Sequence, residues 1–134
     1  MGRQDTIRKN VANYFRARYE QQTDIKSTAA LFNAKCFFNA VEFAKNQKVD
    51  CDIYECVIIE NNWPSLHYIV MKNGDYHEVT LGHRAEQIEY YILRRISKTD
   101  WSRIDIEFDR ALESWLKQFT TFIDRFVLRI KRVL

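Results

Sequence analysis

Glycine and proline are almost missing from this chain, at 3 and 1 of 134 residues. That excludes collagen-like, low-complexity and loop-dominated architectures, which need those residues in quantity. No apolar run approaches the ~18 residues of a membrane-spanning helix. The opening residues, Met-Gly-Arg-Gln-Asp, carry charge where a signal peptide needs its apolar stretch, which argues against export by that route. Cysteine is sparse and odd in number: Cys36, Cys51 and Cys56. A disulfide framework is therefore not expected, and a reducing, cytoplasmic setting is. A strong charge bias is lacking too: the net charge is +3, and the whole excess lies after residue 83. A dedicated nucleic-acid binder is usually more basic and more clustered. Neither nucleic acid nor a membrane is the expected partner.

Apolar material is plentiful. Hydrophobic residues make up 46% of the chain and include 9 Phe, 7 Tyr and 3 Trp, enough for the core of one domain over residues 1–134. Pro64, Gly74 and Gly82 concentrate the breakers in the middle, so the flanks are free to run as helices. From Asp5 to about Gln21 the apolar spacing is helical. A second helical stretch starts after Asp24 or Ser27, either one a suitable N-cap, and runs to about Lys48, with a break near Asn33 left open. Residues 53–60 and 66–71 read as strands separated by the loop Asn61–Pro64. Asn73-Gly74 is a strong hairpin signal, and 76–81 returns as a third strand. Residues 85–97 read as helix, and a last helix runs from about Ile104 to the end with a long apolar stripe. The expected fold class is α+β: N-terminal helices, a three-stranded antiparallel meander and C-terminal helices.

Thiol-based acyl chemistry needs a nucleophile, a base and a group that orients the base. The chain offers one residue for each role. If Asn33 caps the following helix, Cys36 falls in its first turn, where free N–H groups and the helix dipole favour a thiolate, and Lys35 adds positive charge. His67 lies early in the second strand and Glu78 in the third. Across the Asn73-Gly74 turn they are neighbours but not in strict two-residue-loop register. A bulge or a longer loop is expected to bring them into contact.

Three segments resemble the papain-like cysteine hydrolase superfamily, in its small transglutaminase-like and bacterial amidase-like branches. They are Asn33-Ala34-Lys35-Cys36-Phe37-Phe38-Asn39-Ala40, Leu66-His67-Tyr68-Ile69-Val70, and the run from Asn73 to Leu81. Small phage-encoded and bacterial proteins of that type often read Cys, aromatic, any residue, Asn-Ala, then His-Ala-Trp, then Asp-Pro-Thr. His67-Tyr68 stands at the second motif and Glu78-Val79-Thr80 at the third, with Glu in place of Asp. The resemblance covers roughly residues 27–82, leaving 1–26 and 84–134 as helical flanks. It implies a papain-like core, a Cys36 nucleophile, a His67 base and a Glu78 orienter, with no cofactor. The Cys36 amide and the Asn33 side chain are the oxyanion candidates. The implied activity is hydrolysis or acyl transfer at an amide or isopeptide of a protein or peptide substrate. The alternative is a protein-binding effector on the same scaffold without catalysis.

Each residue also has a plainer reading. Cys36 alone would be a small buried hydrophobe, and Cys51 and Cys56 read as structural. His77 is an alternative partner, but adjacency to Glu78 turns it to the other face of the strand. His83 reads as a helix-start residue. A zinc site from Cys51, Cys56, His67 and His77 lacks the tight ligand pairs of structural zinc, so no metal is expected. The basic segment Arg125 to Leu134 reads as a terminal helix with a solvated cationic face, and the stripe before it leaves homodimerisation through that helix as an option.

Overall fold

The computed structural model describes residues 3–31 and 35–102. The expected final helix, its basic end, the dimerisation option and Asn33 all lie outside the described residues. The described chain is built on one mixed six-stranded sheet with two α-helices. Strands β1 (Gln21–Gln22), β2 (Ile25–Ser27), β3 (Cys51–Glu60), β4 (Trp63–Lys72), β5 (Asp75–Glu78) and β6 (Glu89–Ile96) lie in the order β1-β6-β3-β4-β5-β2. Helices α1 (Arg3–Arg18) and α2 (Cys36–Lys45) accompany it. Among these residues no helix is long and apolar enough to cross a membrane.

This overturns the expected fold. Among the described residues strand outweighs helix, and the sheet has six strands in mixed order, not N-terminal helices and a three-stranded meander on a papain-like core. The stretch expected to be helical over 85–97 is a 3₁₀ segment (Gly82–Gln87) followed by strand β6. β6 pairs with β3 from Ile53↔Ile96 to Ile59↔Glu89, with a bulge beside Glu55 and Cys56. The stretch expected to be helical from Asp24 or Ser27 instead gives β2 a parallel edge on β5, and the helix starts only at Cys36. The loop expected over Asn61–Pro64 shrinks to the two-residue turn Asn61-Asn62, both at positive φ, with Trp63 and Pro64 already in β4. Asn73 and Gly74, at φ 53° and 81°, form the expected turn. Positive φ at both central positions is what a tight hairpin between right-twisted strands requires.

The two edges of the sheet come from one short stretch of chain. β1 pairs with β6 at one edge, β2 pairs with β5 at the other, and only Thr23 and Asp24 separate them. Three residue steps span at most about 11 Å. The sheet must therefore curl until β6 and β5 nearly meet, which gives it an outer and an inner face. Outside, α2 packs Phe37, Ala40 and Val41 against Ile53, Tyr68 and Val70, with the Phe37 and Tyr68 rings edge to face at 4.9 Å. Helix α1 buries Val11, Ala12 and Phe15, and its Arg16 pairs with Glu89 at 2.7 Å. Inside the curl lie Cys56, Ile58, Ile69 and Tyr90 with Ala85 and Ile88 of the 3₁₀ region.

Candidate functional site

The site is assembled where β4 and β5 part. Their pairing runs Lys72↔Asp75, Met71↔Tyr76, Val70↔His77 and no further. Continued by one residue, that register would set Glu78 opposite Ile69. Glu78 therefore shares a face with His67, one diagonal step away. Diagonal neighbours lie ~7–8 Å apart, within reach of long side chains. The bulge or longer loop expected from the sequence is not needed: the turn has two residues and the contact is made diagonally.

His67 pairs with Cys56 across β3 and β4, which puts both on the inner face. Its Nε2 lies 2.7 Å from Glu78 Oε1 and 3.0 Å from Oε2, and the two side chains are 4% and 0% exposed. Glu78 is held from three more directions. Tyr90 donates its hydroxyl to Oε1 at 2.6 Å, and the backbone N–H groups of Thr80 and Leu81 donate to Oε2 at 3.0 and 3.2 Å. Burial pushes the Glu78 carboxyl up, but the bonds from His67, Tyr90 and Thr80 outweigh it and hold it below its ordinary value.

Cys36 is the first residue of α2 and half-buried. The N-cap position falls on Lys35, which makes no side-chain cap, so the helix entry differs from the Asn33 cap expected. Asn39, one turn on, donates its backbone N–H to Lys35 O at 2.8 Å and its side-chain amide to Thr80 Oγ1 at 3.1 Å. The start of α2 is thus tied to the same turn that donates to Glu78. Cys36 is a neighbour that acts on the His67 imidazole. Burial pulls the imidazole pKa down, but the effect of Cys36, the bond to Glu78 and the charge on Glu78 prevail and push it up to about 9.

The structure therefore bonds His67 to Glu78, sets Cys36 as a neighbour of that pair and leaves the other candidates elsewhere. His77 is on the outer face, with Nδ1 2.7 Å from Thr28 Oγ1 and its ring stacked on Phe43. His83 is exposed in the 3₁₀ segment. Cys51 packs under α2 while Cys56 lies fully buried inside the curl. Among the described residues no group of three or more His, Cys, Asp or Glu is placed to hold a metal ion.

Sequence reasoning missed Tyr90, Thr80 and Asn39. The β-forming run Tyr90-Tyr91-Ile92 was the available signal for a strand. Nothing local marks Tyr90 as a partner of Glu78, because the sheet's curl makes that contact. No family model matches the chain, and no curated protein or solved structure matches it either.

Proposed function

We propose that the chain is a cysteine-dependent hydrolase or acyltransferase acting on an amide or isopeptide bond of a protein or peptide. Cys36 is the nucleophile, His67 the base, and Glu78 the group that orients His67. One observation carries the reading: a buried imidazole bonded to a buried carboxylate, with a thiol at the start of a helix acting on the same ring. An activated nucleophile needs a base that is itself held by an orienting group, and His67 and Glu78 supply that pair.

In this mechanism Glu78 occupies Nε2, leaving Nδ1 for the thiol proton. The Cys36 sulfur attacks the carbonyl carbon and a C–S bond forms. The developing oxyanion is met by the N–H of Cys36, which as the first helical residue has no intrahelical partner. Collapse breaks the C–N bond as His67 hands its proton to the leaving amine. Water, or an amine in acyl transfer, then attacks the thioester and gives its proton to His67, and the C–S bond breaks.

The test is alkylation of each cysteine by iodoacetamide from pH 5 to 9, followed by mass spectrometry, in the native chain and in His67→Gln. The expected result is reaction of Cys36 at pH 5–6, where an ordinary thiol is almost inert, and loss of that reactivity in His67→Gln. If Cys36 reacts as an ordinary thiol in both, the catalytic reading fails. The alternative, protein binding without catalysis, then takes its place.

A further inference from the structure

We propose that Tyr90 is a positioning residue of this site, its hydroxyl keeping the Glu78 carboxylate charged and aimed at His67; the inference rests on the function proposed above. Along the sheet, β6 is separated from β5 by β3 and β4, yet Tyr90 Oη lies 2.6 Å from Glu78 Oε1. The inward curl makes that reach possible. Oε1 is also the oxygen nearer His67 Nε2, at 2.7 Å.

The reason for a second donor is the dryness of the pair. A buried carboxylate beside a buried imidazole can shed its charge by taking the proton, which leaves two neutral groups and an unoriented base. A hydroxyl on the shared oxygen stabilises the carboxylate over the acid. The N–H groups of Thr80 and Leu81 serve the other oxygen and come with the turn itself. The ionisable groups acting on Glu78 are His67 from β4, Tyr90 from β6, Cys56 from β3 and Arg84 from the 3₁₀ segment, with Cys36 of α2 acting through His67. Glu60 of β3 acts on Tyr90. Burial and the Glu78 charge push the Tyr90 phenol far above its ordinary value, so it remains a donor throughout the working pH range.

The experiment compares the native chain with Tyr90→Phe, which keeps the ring that fills the curl. The Glu78 carboxyl is followed by ¹³C NMR against pH, and Cys36 alkylation is measured on the same samples. In Tyr90→Phe the Glu78 midpoint should rise by about one pH unit, as expected when one hydrogen bond to a charged group is lost. Cys36 alkylation at pH 5 should fall severalfold and stay unchanged at pH 8. A role confined to packing would lower the melting temperature without moving either midpoint. Site-specific 3,5-difluorotyrosine at position 90, a stronger donor of nearly the same shape, should move the Glu78 midpoint down, and serves if Tyr90→Phe does not fold. An unmoved Glu78 midpoint, or a moved one with unaltered alkylation at pH 5, overturns the inference. Failure of the underlying function shows separately, as absence of low-pH Cys36 reactivity in the native chain.

Discussion

Three thiols of one chemical type sit in three environments, and their reactivities should separate accordingly. Burial pushes the Cys56 thiol well above its ordinary value, and the neighbouring Glu78 charge adds to this; its Sγ lies 3.5 Å from His67 O. Burial also raises Cys51. In native protein at pH 7, Cys36 should therefore be labelled first, and Cys56 only after unfolding, as mass spectrometry over a time course would show. Glu78→Gln makes a sharper cut. It replaces a fully acceptor group, bonded by His67, Tyr90, Thr80 and Leu81, with an amide that must turn two donors into the same space. Breaking a buried charge-assisted network of this kind costs about 3 kcal/mol. Urea denaturation should show that loss together with loss of Cys36 alkylation at pH 5–6.

At the scale of elements, turns and helices contribute to stability and chemistry in separable ways. A Cβ added at Gly74 would meet nothing within 4 Å, so Gly74→Ala costs only the left-handed backbone at φ 81°. That is about 1 kcal/mol, and Cys36 alkylation should be unchanged because the β4–β5 register survives. Phe37→Ala is the contrasting case. It removes the ring that seats the first turn of α2 on Tyr68. It should cost about 3 kcal/mol and weaken Cys36 reactivity as well, since the same turn carries the thiol. The tight Asn73-Gly74 turn and the strands around it were readable from local chemistry. The β6 strand was not: it is buried inward at Tyr90 and outward at Tyr91, so no period-2 pattern separates it from a helix. The strand at Ile25–Ser27 was hidden in the same way, because its pairing partner lies some fifty residues on.

For the molecule as a whole, the buried pair links stability to pH. His67 has its pKa raised from 6.5 to about 9 on folding. Its contribution is therefore fully present below about 6.5 and is lost as pH rises through about 9. Glu78 is held below its ordinary 4.5, so its contribution is present above that value and fades as pH falls below it. Stability should plateau between about pH 4.5 and 6.5 and fall by roughly 3 kcal/mol by pH 9. Thermal melts across that range test this, and in His67→Gln the alkaline decline should largely disappear.

Local residue patterns set which groups are available for the chemistry. Cys36 before a helix-forming run, and His67 and Glu78 on strands joined by Asn73-Gly74, are consequences of neighbouring residues, since turn geometry and strand parity act over a few positions. The rest follows from long-range pairing. Pairing of β6 with β3 turned an expected helix into a strand, and the seven residues 21–27 bent the sheet until Tyr90 met Glu78. Contacts between distant segments depend on how the whole sheet closes, and no local pattern of residues encodes that closure.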